Sequence, residues 1–277
     1  MKLRLLLAAV LGGFLTRLSA AEAPVRPPAG WVPVWSDEFN QPDGSAPDPS
    51  RWVFDLGGNG WGNEELQTYT ARRENSRIEK GHLVIEARRE SFTGPDQRRR
   101  EFTSARLKTL GRFSVTYGRI EARIQVPKGK GLWPAFWTLG TNVTTVGWPR
   151  CGEIDILENI GREPDQVHGT VHGPGYSAGA GPTRAYRLPG GTPFADAFHV
   201  YSVEWDLRQI RWFVDDTPYF TLTPAQLPSG TDWVFDQPQF LLLNLAVGGR
   251  WPGPPDASTP LPQEMKVDYV RVYRRAP

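Results

Sequence analysis

The run Glu153-Ile154-Asp155-Ile156-Leu157-Glu158 places three carboxylates among apolar side chains. In an extended strand residues two apart share a face, so Glu153 and Asp155 point together while Ile154 and Ile156 point away. Glu158 lies five positions from Glu153, and its parity would turn it into the core, where an unpaired carboxylate is costly. One extra residue near Ile156-Leu157, inserted as a β-bulge, would hide both apolar side chains and return Glu158 to the carboxylate face. Bulges often re-aim side chains beside active sites. Three carboxylates on one concave face repel one another, which raises at least one pKa and keeps one group protonated beside an ionised neighbour. Glycosidic bond cleavage with retained configuration needs that division, a nucleophile and an acid about 5 to 5.5 Å apart. An exposed acidic strand or a metal site would use the same residues.

A second cluster precedes this strand. In Gly131-Leu132-Trp133-Pro134-Ala135-Phe136-Trp137, alternation puts Trp133, Ala135 and Trp137 on one face and Phe136 on the other. One division gives Phe136 to the interior and both indoles to a groove, with Ala135 leaving room for sugar rings; the other buries both indoles in the core. Trp251, in Gly248-Gly249-Arg250-Trp251-Pro252-Gly253, is either a further wall or a loop anchor.

Strands must position these residues. Ile120, Ala122, Ile124 and Val126 alternate with Arg119, Glu121, Arg123 and Gln125, the pattern of a strand with one buried and one wetter face. His82 to Arg88, Phe198 to Asp206, Gln209 to Asp215, Phe240 to Val247 and Lys266 to Arg274 are further strand candidates, divided by turn clusters such as Val214-Asp215-Asp216-Thr217-Pro218. No segment carries a helical period over three turns. The pattern predicts an all-β sandwich of antiparallel sheets.

Lys2 and Arg4 precede an apolar run from Leu5 to Leu15, followed by Ser19-Ala20-Ala21, which predicts a secretory signal over 1–21; an uncleaved anchor is the alternative. A short linker, 22–30, would lead to one domain over 31–277, a length that suits a single large sandwich. Cys151 is the one cysteine, so no intramolecular disulfide can form, and stability must come from the core or a bound ion. A formal charge of +2, from 32 basic and 30 acidic residues, carries no footprint for nucleic acid or a membrane surface. Arg98-Arg99-Arg100 reads as a solvated loop, and Asn142-Val143-Thr144 fits a glycosylation sequon. The 11 tryptophans suit stacking on sugars, although a core can absorb them equally well.

Glu153 to Glu158 resembles the bulged catalytic signature of glycoside hydrolase family 16, in its laminarinase-like branch. The likeness runs through Trp35-Ser36-Asp37-Glu38-Phe39, Gly60-Trp61-Gly62-Asn63-Glu64-Glu65-Leu66-Gln67, Thr103-Ser104-Ala105-Arg106-Leu107 and Tyr117-Gly118-Arg119-Ile120-Glu121-Ala122-Arg123. It continues through Gly131 to Trp137, Gly169-Thr170-Val171-His172-Gly173-Pro174-Gly175-Tyr176, Leu243-Asn244-Leu245-Ala246-Val247-Gly248-Gly249 and Val267-Asp268-Tyr269-Val270-Arg271-Val272-Tyr273.

The resemblance implies a β-jelly-roll of two curved antiparallel sheets with an open substrate groove, and cleavage of internal β-1,3 linkages in laminarin-type glucans. It makes Glu153 the nucleophile, Glu158 the acid/base and Asp155 the residue that tunes the nucleophile. Asn63, Arg106, Trp133, Trp137, His172, Asn244 and Trp251 would line the groove. His172 is open to a purely structural role, as are Arg106 and Asn244. No cofactor is implied for catalysis, but the main chains of Glu38 and Gly81 with the carboxylate of Asp268 match a structural calcium site of some relatives. The expected partner is a β-glucan, met by a secreted, extracellular or periplasmic monomer with no membrane contact after signal cleavage. The alternatives are a β-glucan-binding protein without catalysis, or a retaining hydrolase or transglycosylase acting on mixed-linkage glucan, agarose or galactan.

Overall fold

The computed structural model describes residues 27–277 of the chain. The predicted signal and residues 22–26 of the predicted linker lie outside the described residues. Among the described residues two sheets stack face to face. The larger runs in the order Thr217–Leu222, Ile210–Val214, His199–Trp205, Gly118–Gln125, Gln263–Arg275, His82–Thr93, Arg99–Ser104, Gln67–Tyr69. Trp31–Asp37 pairs onto Gln263–Arg275, and Ser76–Glu79 onto His82–Thr93. The smaller runs Thr183–Arg187, Gln166–His172, Glu153–Glu158, Leu132–Gly140, Gln239–Val247, Arg106–Lys108, Val53–Phe54. Pairing is antiparallel except where Gln67–Tyr69 lies parallel to Arg99–Ser104, so the architecture is the expected jelly-roll sandwich.

Alternation explains the packing. Ile120, Ala122 and Ile124 from the larger sheet meet Phe136, Ile154, Val171, Leu241, Leu243 and Leu245 from the smaller one in a continuous core. The side chains between them in sequence face outward. On the larger sheet that outer face is drier than the sequence predicts: Arg119 and Glu121 are buried, because Arg119 Nε donates to Glu121 (2.8 Å) and the Tyr273 hydroxyl donates to the same carboxylate (3.1 Å). Pairing removes the penalty that an isolated buried charge would carry. The Arg98 to Arg100 segment is no free loop, since Arg99 opens a strand and Arg100 Nε donates to the Gly58 carbonyl at 2.8 Å.

The predicted turn after Val214 is a two-residue hairpin turn. Asp215 and Asp216 both adopt left-handed backbone angles (φ 48° and 63°), which match the twist of the strands they join. Among the described residues α-helix is confined to the single turn Val143–Val146, and no helix is long and apolar enough to cross a membrane.

Candidate active site

The acidic strand lies inside the smaller sheet, between Leu132–Gly140 and Gln166–His172. Glu153 pairs with Leu139 and His172, and Asp155 with Trp137 and Thr170. The register then slips: Leu157 meets Phe136 and Glu158 meets Ala135 on one side, while Glu158 meets His168 on the other. One extra residue has entered the acidic strand, which is the bulge that the parity of Glu158 predicts. Ile154, Ile156 and Leu157 are all buried. Burying each gains about 1.5 to 3 kcal/mol, which outweighs the roughly 1 kcal/mol of one disturbed ladder hydrogen bond.

Glu153, Asp155 and Glu158 consequently line one open pocket of about 310 Å³. Trp148 Nε1 donates to Glu153 Oε2 at 2.7 Å, and His172 Nε2 stands 3.8 Å from Glu153 Oε1 and 3.3 Å from Asp155 Oδ2. Glu158 accepts from Trp133 Nε1 and from the Thr170 hydroxyl, both at 3.2 Å. Burial pushes Glu153 up to about 8, with repulsion from Asp155 adding to it and His172 opposing it. Burial likewise raises Glu158 to about 7, against the influence of His172, Thr170 and Trp133. Asp155 is held well above the usual carboxylate range by burial and by the charge of Glu158. The cluster therefore retains protons near neutral pH, the condition for one carboxyl to act as an acid while another attacks.

The remaining wall is aromatic and amide-rich. Trp133 and Trp137 face the pocket with Ala135 between them, while Phe136 enters the core. Trp137 Nε1 donates to Asn244 Oδ1 (2.7 Å), Asn244 Nδ2 to the Tyr69 hydroxyl (3.2 Å), and that hydroxyl to Glu65 (3.1 Å). Asn63 joins the chain through Glu65 at 3.3 Å. The Arg106 guanidinium sits between the rings of Trp61 and Trp137, 4.8 and 4.7 Å from their centroids, with Nε 2.9 Å from Asp55. His172 lines the same pocket, and Trp251 meets the ring of Trp133 edge-on at 5.5 Å and that of His168 at 5.0 Å.

Trp61, Glu65, Tyr69 and Trp148 escaped the sequence reading. Trp148 carried a usable signal, a tryptophan in the proline-bearing turn five residues before Glu153. A ring in such a turn has little core to reach.

Two metal arrangements bear on the site. Ligating atoms of Glu153, Asp155 and His172 all lie within 4.8 Å of one another, so these residues could hold a cation. That use leaves Glu158, with its own two donors, without a part. The calcium positions lie on the larger sheet. There Asp268 Oδ2 accepts from Arg123 at 2.7 Å, the Glu38 carboxylate pairs with Arg271, and Gly81 occupies the turn before His82. The expected ligands from Glu38 and Gly81 are main-chain oxygens, and an ion on the Asp268 carboxylate would share it with the Arg123 guanidinium.

Comparison with known proteins agrees with this geometry. The family model described as Glycosyl hydrolases family 16 matches residues 63–271. The chain is 48% identical to a beta-glucanase of Rhodothermus marinus over 255 residues, covering 88% of this chain and 85% of that protein. It superposes on the laminarinase catalytic domain of Thermotoga maritima MSB8 with a TM-score of 0.84 at 48% identity, covering 89% of this chain and 99% of the other. The endo-beta-1,3-glucanase of Pyrococcus furiosus gives a TM-score of 0.84 at 51% identity, with 89% and 95% covered. With its bulged acidic strand set in this sandwich, the chain belongs to glycosyl hydrolase family 16.

Proposed function

We propose that the protein is an endo-β-1,3-glucanase that hydrolyses laminarin-type glucan by double displacement, with retention of configuration. The observation that carries this reading is the bulge, which turns Glu153 and Glu158 into one groove and leaves each with its own indole donor. A Glu153 oxygen attacks the anomeric carbon while Glu158 gives its proton to the departing glycosidic oxygen, and the C–O bond breaks. Water then attacks the glycosyl ester, Glu158 takes its proton, and the Glu153 carboxylate is released. Asp155, at 3% exposure the most deeply placed of the three, keeps a proton and steadies the ionised nucleophile.

Every step uses only side chains of this chain, so catalysis needs no cofactor. Asn63, Arg106, Trp133, Trp137, His172 and Asn244 hold the glucan, with the indoles stacking on sugar faces and the amides and guanidinium meeting hydroxyls. Trp251 packs edge-on against Trp133 and braces that ring. The basic and then apolar residues 2–15 support export of a protein that works as a monomer on a polysaccharide outside the cytoplasm.

The test is reducing-end release from laminarin, with mixed-linkage glucan, agarose and galactan in parallel and product sizing. Internal cleavage of laminarin, a β anomer as first product by NMR, and loss of both with Glu153→Gln are expected. Laminarin binding without cleavage would replace this reading with that of a glucan-binding protein.

A further inference from the structure

Thr170 is buried on the strand Gln166–His172, in register with Asp155 on one side and with Thr183, on the edge strand Thr183–Arg187, on the other. A valine has the same shape and suits a strand equally well, so the hydroxyl is a polar group in a dry position that needs partners. It has two. Its oxygen lies 3.2 Å from Glu158 Oε2 and 3.0 Å from the Thr183 hydroxyl. The Thr183 hydroxyl has a second acceptor within reach, the Gly169 carbonyl at 3.3 Å.

Each hydroxyl has one proton to give, and that count fixes the direction of the chain. An ionised Glu158 only accepts, so Thr170 gives its proton to Oε2, and Thr183 gives its own to Thr170. When Glu158 is neutral the pull on Thr170 weakens. Thr170 then turns to Thr183, and Thr183 to the Gly169 carbonyl. Both arrangements leave each threonine proton bonded. Trp133 differs, because an indole N–H cannot accept and donates to Oε1 in either state.

We propose that Thr170, backed by Thr183, is a positioning residue for Glu158, and that its hydroxyl turns onto the carboxylate as the acid gives up its proton. The inference rests on the reading of Glu158 as acid/base. In the first step the proton passes from Glu158 to the departing glycosidic oxygen and charge develops on the carboxylate. The Thr170 bond strengthens as that happens, so it lowers the barrier without tightening substrate binding. In the second step Glu158 starts ionised and takes a proton from water, so loss of the same bond does not slow that step. The bulge makes the contact possible, since it sets Glu158 in register with His168, two residues before Thr170, and the carboxylate reaches the hydroxyl diagonally.

The experiment uses three variants: Thr170→Val keeps the shape and removes the hydroxyl, Thr170→Ser keeps the hydroxyl, and Thr183→Val removes only the outer one. Each is assayed on laminarin, whose leaving group needs a proton, and on a dinitrophenyl β-laminaribioside, whose leaving group departs without one. Thr170→Val should lose about ten- to fiftyfold in kcat on laminarin with KM within about twofold of the parent's, and both constants on the aryl substrate should stay within about twofold. Thr170→Ser should recover laminarin hydrolysis to within about threefold of the parent. Thr183→Val should lose about two- to fivefold on laminarin alone, because Thr170 keeps its bond to Glu158 and loses only the polarising donor behind it.

Equal losses of Thr170→Val on the two substrates, or no loss on either, overturn the proposal, as does a Thr170→Ser as slow as Thr170→Val. A Thr183→Val that matches the parent on laminarin removes Thr183 from it. Should Thr170→Val not fold, Thr170→Ala carries the same comparison. A parent inactive on laminarin removes the hydrolase reading, and a Glu158→Gln that loses equally on both substrates removes the reading of Glu158. An active parent with a laminarin-selective Glu158→Gln and an unselective Thr170→Val removes only this inference.

Discussion

Trp212, on the larger sheet, donates its indole N–H across the sandwich to the backbone carbonyl of Asp155 at 2.8 Å. Asp155 is where the smaller sheet loses register, and a carbonyl released from a ladder inside the core needs another donor. Gly169 admits the indole, since a Cβ there would lie 2.5 Å from Trp212 Cδ1. The fold thus supports the bulge from behind. Trp212→Phe should fill most of the space but orphan that carbonyl, costing about 1 to 3 kcal/mol. The expected outcome is a Tm lower by several degrees together with a fall in kcat. Unchanged kcat in a folded, destabilised variant would separate the indole from the placement of Glu158.

Glu153→Gln should stabilise the fold while abolishing hydrolysis. The folded-state pKa of Glu153 lies near 8, above its usual value of 4.5, so the folded protein holds a proton that the unfolded chain releases. The stability linked to that proton is fully present below pH 4.5 and is lost as pH rises through about 8. A glutamine never ionises. Thermal melts should show a gain of about 2 to 6 °C at pH 8 and little gain at pH 5. An equal gain at both values would mean that ionisation is not its source.

The sandwich and the bulge were legible in sequence for one reason: both follow from where an apolar or charged side chain can go. Glu158 had the wrong parity for a regular strand, and only an inserted residue kept it out of the core. Trp148 was hidden, and the place of Trp251 was left open, because both sit on turns, whose course is set by tertiary contacts. Cys151 anchors the first segment, and Arg162 bonding to the Trp251 carbonyl fastens the second. Arg119 and Glu121 read as solvent-facing because a single strand does not reveal that Asp216 and Tyr273 will cover and pair them. The pairing of Asp268 with Arg123 was hidden in the same way, because the guanidinium arrives from the neighbouring strand.

Glu158→Gln tests the acid. Glu158 is raised to about 7 by burial and by the nearby Glu153 charge, so kcat/KM should fall on the alkaline side as its proton leaves. The limbs belong to the carboxylate cluster as a whole, because ionising one member holds protons on the others. Removing the acid should cut laminarin hydrolysis by about 10² to 10⁴ and flatten the alkaline limb. An aryl glucoside whose leaving group departs without protonation should lose far less. If both substrates lose equally, Glu158 is not the proton donor.

Arg106 tests the opposite wall. Its guanidinium is planar, and stacking between Trp61 and Trp137 uses both faces while Nε meets Asp55. A lysine ammonium is a point charge that cannot fill such a slot flat. Each cation–π contact is worth roughly 0.5 to 1 kcal/mol, so Arg106→Lys should free Trp137 to tilt and loosen the plate that it offers to the glucan. KM for laminarin should rise about five- to thirtyfold while kcat stays within about threefold, because the contacts of Arg106 are with the wall and not with Glu153 or Glu158. Trp137 would remain tethered to Asn244 through its indole N–H, so the loss should stop short of that caused by Trp137→Ala. A kcat that falls as far as kcat/KM would place Arg106 in the chemical step and overturn its assignment to binding.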